Sequence, residues 1–177
     1  MPDHVDAALD GWRREAPELD ASPLAVIDRI SRLSTLLERQ LQPVLGPHSL
    51  SLGEFELLAT LRRDGPPFRR TPTSLTADLM MTSGGMTKRL GALERGGLIR
   101  RVPDPADGRS KLVELTDEGR QVVEQVLAIR LKHEKRVLAA LRKKQRRDLA
   151  SALRDLCVAL GDEPASQPRR NPGRTTS

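Results

Sequence analysis

The sequence is poor in aromatic residues: its 177 positions include no Tyr, one Trp and two Phe. A core must therefore be built from Leu, Val, Ile and Ala, and the scarcity argues against the stacking platforms that hold single-stranded nucleic acid. One cysteine, Cys157, is too few for an internal disulfide and is typical of a reducing compartment, so we expect a cytoplasmic protein. The three histidines are scattered without ligand spacing, and we expect no metal.

Long apolar runs are also missing. No stretch approaches the roughly 20 apolar residues that a membrane span needs. The first residues, MPDHVDAALDGW, are acidic and lack the basic and then apolar layout of a signal peptide. The sequence has no nucleophile elbow, phosphate-binding loop or metal motif. We therefore expect no membrane partner, no enzymatic activity and no cofactor.

Charge is abundant but uneven. The net charge of +6 and the pI near 10.2 suit a polyanionic partner, although the same charge could serve solubility alone. Residues 1–20 hold six acids against Arg13 and Arg14, whereas residues 130–147 hold nine Lys or Arg against Glu134 alone.

Several helices are predicted from a Ser or Thr that precedes a helical apolar rhythm. Such capping residues occur at Ser22, Ser51, Thr71 and Thr116, and Pro follows Ser22 and Thr71 at the first helical position. The first of these helices should end before the breaker pair Gly46-Pro47. The long helices carry more apolar residues than one small lobe can cover, which favours burial between two subunits.

The middle of the chain predicts a winged helix-turn-helix. Two short helices, one starting at Thr71-Pro72 and one over 83–95, are separated by a tight turn. After the second helix, LIRRV and KLVELT favour strands, and PDPADGRS between them has the composition of a projecting hairpin loop. The predicted fold is mainly α with a small β-hairpin wing.

The helix over 83–95 has two unlike faces. At about 100° per residue, Met86, Leu90 and Leu93 form a buried stripe. The opposite side alternates glycines with cations, which lets a backbone approach DNA in the major groove while polar tips reach bases and phosphates. The alternative is a solvated basic face. Residues on the opposite side are Gly84, Thr87, Lys88, Gly91 and Arg95.

The wing adds cations on the same side. Asp107 and Arg109 stand two apart across a glycine, so the carboxylate can hold the guanidinium and aim it at a narrow minor groove. The alternative is a surface ion pair that contributes little. Lys111 follows at the start of the next strand.

These residues resemble the MarR family of bacterial transcriptional regulators. The matching pieces are Ser83, Thr87 and Leu90, then LERGGLIRR, then DPADGRSKLVELTDEG, within a likeness that covers roughly residues 22–160. The resemblance implies a triangular homodimer on a pseudo-palindromic operator in double-stranded DNA. At Gly108 many relatives carry Arg. The expected DNA contacts are Thr73, Ser74, Ser83, Gly84, Thr87, Lys88, Gly91, Arg95, Asp107, Arg109, Ser110 and Lys111.

Arg89 does not fit the DNA-facing side, because the wheel places it at the edge of the buried stripe. An unpaired guanidinium there is costly, so its partner should be a carboxylate such as Glu56 or an anionic ligand. The segment around Trp12 resembles a MarR branch with an extra N-terminal helix that responds to urate. Trp12, Glu56 and Arg89 match that branch's ligand positions, although urate responders carry Asp at 56. A salicylate-like or urate-like effector is implied; the alternative is a Glu56–Arg89 salt bridge with Trp12 as packing.

The resemblance and the patterns together predict a dimeric DNA-binding regulator, usually a repressor, released by a small anionic molecule. The alternatives are a protein-interaction winged-helix module and an architectural binder without sequence preference. The predicted organisation is an N-terminal arm or extra helix (1–21), a first dimerisation helix (22–47), a winged helix-turn-helix lobe (50–116), C-terminal dimerisation helices (117–161) and a disordered tail (162–177).

Overall fold

The computed structural model describes residues 1–108 and 110–162. The chain divides into two compact units, Met1–Leu52 and Gly53–Ser177. Within the described part, no helix is both long enough and apolar enough to cross a membrane. The predicted tail from 163 onward and Arg109 lie outside the described residues.

The first unit contains two α-helices, α1 (His4–Glu15) and α2 (Leu24–Leu45), followed by a 3-10 turn at Gly46–His48. Asp3 caps α1 by accepting from the amides of Val5 and Asp6, both at 2.9 Å. The two helices are joined by Arg29 of α2, whose guanidinium lies 2.8 Å from Asp3 and 2.6 Å from Asp6. Hydrogen bonding from Arg29 is the main cause that lowers the pKa of Asp3 to about 2.

The start of α2 differs from the prediction that Ser22 caps it. The helix begins at Leu24 after Pro23, and no side chain caps its first turn. The amide of Ser22 instead donates to Asp20 Oδ1 at 3.0 Å, a bond that is the main cause of the lowered pKa of Asp20. The predicted end of this helix, before Gly46, is confirmed.

The second unit is a winged helix-turn-helix followed by two further helices. Its elements in chain order are α3 (Leu52–Arg63), β1 (Arg69–Arg70), α4 (Pro72–Asp78), α5 (Ser83–Arg95), β2 (Ile99–Pro103), β3 (Lys111–Leu115), α6 (Asp117–Leu138) and α7 (Lys143–Ala159). Three strands form an antiparallel sheet in the order β1–β3–β2. The prediction of a mainly α fold with a small hairpin wing is confirmed, and β1 is an additional strand.

Side chains from every helix of the lobe form the core of this unit. The packing is aliphatic except for one ring, as the composition requires, and each residue named here is at most 2% exposed. These residues are Phe55, Leu57, Leu58, Leu61, Leu75, Met86, Leu90, Leu93, Val113, Val123 and Val126.

The wing and α6 meet at a close joint. Thr116 caps α6 by accepting from the Gly119 amide at 3.0 Å, as predicted, and its hydroxyl donates to the Gly97 carbonyl at 2.7 Å. The Thr116 amide donates to the Leu98 carbonyl at 3.1 Å. A Cβ at Gly119 would overlap that same carbonyl, so only glycine permits this approach of α6 to the strand entry.

Candidate nucleic-acid interface

The second helix of the helix-turn-helix, α5, carries the predicted two faces. Thr82 caps it by accepting from the Gly85 amide at 3.2 Å, and the helix runs from Ser83 to Arg95 as predicted. Its inner residues Met86, Leu90 and Leu93 are each 2% exposed. The predicted contact residues Ser83, Gly84, Thr87, Lys88 and Arg95 are exposed, and Gly91 is half-buried.

The two glycines on this face have different surroundings. A Cβ at Gly84 would meet no atom within 4 Å, so the absent side chain leaves the backbone open to an approaching molecule. A Cβ at Gly91 would lie 3.5 Å from Arg95 Nη1, because the Arg95 side chain turns back along the helix. That distance is an ordinary van der Waals contact, so a side chain at position 91 would pack against the Arg95 guanidinium.

The start of α4 is held by a cation that the sequence analysis missed. Arg70 donates to Ser74 Oγ at 3.1 Å and pairs with Asp78 at 2.5 Å and Asp64 at 3.3 Å. Ser74 Oγ also donates to the Thr71 carbonyl at 3.0 Å, so this predicted contact is fixed within the lobe. Thr73, the other predicted contact in α4, is exposed.

The wing loop is ordered by its own polar groups. The Ser110 amide donates to the Asp107 carbonyl at 2.9 Å, and its hydroxyl lies 3.4 Å from Asp104 Oδ2. Lys111 is exposed at the start of β3, where it pairs in register with Pro103. Arg109 lies outside the described residues, and so does its predicted pairing with Asp107.

A buried carboxylate joins the three strands of the sheet. Glu114 of β3 is paired with Arg69 of β1 and Arg100 of β2, and its side chain is 5% exposed. Burial acts to raise the pKa of Glu114, but the hydrogen bonds from the two arginines outweigh it and hold the pKa below its ordinary value. At the other edge, Arg101 of β2 pairs with Glu94 of α5 at 3.1 Å and ties the hairpin to the helix.

Arg89 turns inward, away from the exposed Lys88, as the helical wheel predicted. Its guanidinium is half-buried and donates to Met81 Sδ at 3.3 Å, a weak acceptor. It lies directly over Gly53, where a Cβ would come within 2.5 Å of Arg89 Nε. Trp12, another predicted effector residue, lies on α1 of the first unit and is 46% exposed.

The alternative of a Glu56–Arg89 salt bridge is wrong. In the part of the chain that the structure describes, Glu56 pairs with Arg130 of α6 at 2.7 Å. Arg130 also pairs with Glu134 at 2.7 Å and lies 5.5 Å above the Phe55 ring. Burial acts to lower the pKa of Arg130, yet the two carboxylates raise it on balance. One signal could have found this cluster, because Arg130 interrupts the apolar stripe of α6.

Comparison with known proteins identifies the lobe. The model of the MarR family matches residues 48–110. The HTH-type transcriptional regulator PecS of Dickeya dadantii is 37% identical over 149 residues, which cover 84% of this chain and 90% of PecS. The chain belongs to the MarR family. It is therefore a winged helix-turn-helix transcriptional regulator, as the resemblance implied, and its relatives are not enzymes.

Further MarR-family likenesses agree with this assignment. The HTH-type regulator MT0903.1 of Mycobacterium tuberculosis is 32% identical over 127 residues, which cover 72% of this chain and 86% of that protein. The structure of Sco5413 from Streptomyces coelicolor matches with a TM-score of 0.70 and 27% identity, over 82% of this chain and all of Sco5413. Sco3205 from the same organism was solved in complex with DNA and matches with a TM-score of 0.71 and 26% identity. The match covers 85% of this chain and 93% of Sco3205.

Proposed function

We propose that this MarR-family protein is a homodimeric, sequence-specific repressor that acts on chromosomal DNA in the cytoplasm. Its pseudo-palindromic operator receives α5 in the major groove and Arg109 of the wing in the minor groove. A small anionic or phenolic molecule releases it. The observation that carries the proposal is the solvent face of α5, where open Gly84 lies beside exposed Thr87 and Lys88.

The position of α5 in the lobe supports groove entry. Its apolar side is buried, its first turn is capped, and Glu94 anchors its last turn to the wing strand β2 through Arg101. The face left to solvent is therefore fixed in orientation before any partner arrives, which lowers the ordering cost of binding. The DNA complex of the related Sco3205 supports the same use of this lobe.

Apolar side chains left exposed by each unit support the homodimer. In the first unit, α2 exposes Val26, Ile27, Ile30, Leu33 and Leu36 by 38% to 53%. In the second unit, α7 has no buried residue at all, although Leu149, Leu153 and Leu156 form one stripe along it. Such faces are unfavourable in water, and a second copy of the chain supplies a self-complementary cover.

The surroundings of Arg89 support an anionic effector. Among the described residues no carboxylate lies within salt-bridge distance of its half-buried guanidinium, since Glu56 is held by Arg130. A carboxylate or phenolate placed there would form the charge-assisted hydrogen bonds that Met81 Sδ cannot provide. We propose Arg89 as the residue that binds the acid group of the effector.

The test compares Lys88→Ala with its neighbour Arg89→Ala on an operator mapped by footprinting. Protection should cover two half-sites about one helical turn apart.

We expect Lys88→Ala to weaken operator affinity about tenfold, a loss of ~1.4 kcal/mol, because it removes a contact to DNA. Arg89→Ala should keep operator affinity within about threefold and weaken release by salicylate or urate. If Arg89→Ala loses as much operator affinity as Lys88→Ala, α5 is oriented wrongly. Binding without sequence preference would favour the architectural alternative.

A further inference from the structure

The net charge of the chain is concentrated away from the proposed DNA-binding face. Residues 130–147 carry nine Lys or Arg against Glu134 alone, an excess of eight that is larger than the +6 of the whole chain. Residues 50–116, which include α5 and the wing, carry an excess of only three. The helix-turn-helix therefore does not account for the basic character of the protein.

The part of this charge on α6 lies far from the wing. α6 starts at Asp117, directly after β3, and its 22 residues extend about 33 Å before the turn into α7. Near that end Lys132, Lys135 and Arg136 are exposed within roughly 100° of arc, at least about 80° away from the buried Val126. None of the three forms a salt bridge with another described residue.

A second row of cations follows along α7. Lys143, Arg147 and Arg154 fall within roughly 40° of arc and extend over about 17 Å. All three are exposed and have no salt-bridge partner among the described side chains, and the row lies well apart from the apolar stripe of the same helix. The opposite flank is neutralised differently, since Lys144 pairs there with Asp148 at 2.7 Å. The α6–α7 basic surface denotes these six residues: Lys132, Lys135, Arg136, Lys143, Arg147 and Arg154.

A merely solvated helix face does not explain this surface. Solvated faces usually mix charge signs, whereas Lys132 repels Lys135 and Arg136 at helical spacings of three and four, and Lys143 repels Arg147. The cations at the end of α6 are favoured by the helix dipole, but Lys143 stands in the first turn of α7, where that dipole opposes a positive charge. A bound polyanion would reverse each of these unfavourable terms.

We propose that the α6–α7 basic surface binds the phosphate backbone of a second segment of duplex DNA, without sequence preference. Duplex DNA carries one negative charge per ~1.7 Å of its axis, which suits a long row of cations. A protein held at its operator by α5 also meets neighbouring DNA at high effective concentration, so weak contacts suffice.

The test uses the full-length protein and two duplexes. The footprinted operator is immobilised and loaded with protein, and a fluorescent duplex of random sequence, about three helical turns long, is offered in solution. We expect wild-type protein to capture the second duplex in a salt-sensitive manner. The variant Lys143→Gln/Arg147→Gln/Arg154→Gln should capture at least about tenfold less while operator affinity stays within about twofold. The variant Arg14→Gln/Arg32→Gln/Arg39→Gln removes the same charge from exposed helix positions of the first unit and should capture as the wild type does.

A direct titration separates this inference from the operator proposal. Affinity for the random duplex alone is measured from about 50 to 200 mM salt. The α7 variant should bind this duplex more weakly than the wild type. The slope of log affinity against log salt should be shallower by nearly one unit for each lost phosphate contact. Lys88→Ala should leave that part of the binding in place. The proposal is overturned if the wild type and the α7 variant capture the second duplex equally, or if the control variant loses as much capture as the α7 variant. It is also overturned if the α7 variant keeps its binding to the random duplex and loses only binding to phosphatidylglycerol vesicles.

Discussion

A methyl group at position 53 would collide with Arg89. A Cβ built on Gly53 would lie 2.5 Å from Nε and 2.9 Å from Cζ of that side chain, so one of the two must move. The atoms in conflict are at the far end of a flexible side chain, whereas the α3 backbone is held by a fully buried Phe55 and Leu57. The guanidinium is therefore the group that gives way.

Gly53→Ala should weaken the response to the effector without lowering the stability of the fold. Alanine is favoured over glycine in a helix by up to about 1 kcal/mol, so the melting temperature should equal or exceed that of the wild type. The displaced Arg89 should at the same time require a higher concentration of salicylate or urate to release the operator. Differential scanning calorimetry and a gel-shift titration measure the two effects. A melting temperature several degrees lower would show that Arg89 cannot move aside.

At the scale of elements, the sheet depends on a single carboxylate. Glu114 is deprotonated at neutral pH and joins β1 and β2 to the strand between them through Arg69 and Arg100. Because its pKa is lower in the folded chain than in the unfolded one, its contribution is present above the ordinary value near 4.5 and is lost as the pH falls through the folded value.

Glu114→Gln should therefore be most costly at neutral pH. We expect a loss of about 1.5–3 kcal/mol in the free energy of unfolding at pH 7, which is typical of hydrogen bonds to a charged group. The gap between variant and wild type should narrow below the ordinary pKa of 4.5. Urea denaturation at neutral pH, near pH 5 and near pH 3.5 measures it, with Asp155→Asn as an exposed carboxylate control. A gap that stays constant with pH would contradict the ionised network.

Local patterns were enough to predict some elements and not others. The caps at Thr71 and Thr116 and the bounds of α5 follow from the residues within one helical turn, and these predictions are confirmed. The strand β1 has only Arg69 and Arg70, no apolar alternation, and exists through its pairing with β3 about 45 residues later. Arg130 is marked by its place in the apolar stripe of α6, but its partner Glu56 lies 74 residues away and could not be identified from the neighbourhood of Arg130.

At the scale of the whole molecule, the exposed stripe of α7 predicts an obligate pairing of chains. Leu156→Glu should raise the dimer dissociation constant at least about 100-fold, or ~2.8 kcal/mol, because a twofold axis buries the charge twice. Operator affinity should fall with it, since each half-site would be bound separately. Sedimentation at micromolar concentration and gel shift provide the two measurements.

The matched control places the same charge elsewhere on α7. Ser151→Glu lies off the apolar stripe and is exposed, so it should leave both measurements near wild type. Circular dichroism of both variants shows whether α7 stays helical, since no residue of this helix is buried within its own chain. A monomeric wild type, or a Leu156→Glu protein that still forms dimers, would refute the pairing.

The close packing at Gly119 couples the orientation of α6 to that of the wing. The helix backbone lies against the Leu98 carbonyl, and Thr116 bonds to Gly97 on the same segment, so the strand entry cannot slide on the helix. A tilt of only ~1° about this fulcrum displaces the other end of the 22-residue helix by about 0.6 Å. A displacement of about half an ångström at the far end of α6 therefore rotates the helix, and the hairpin attached to it, by only about one degree.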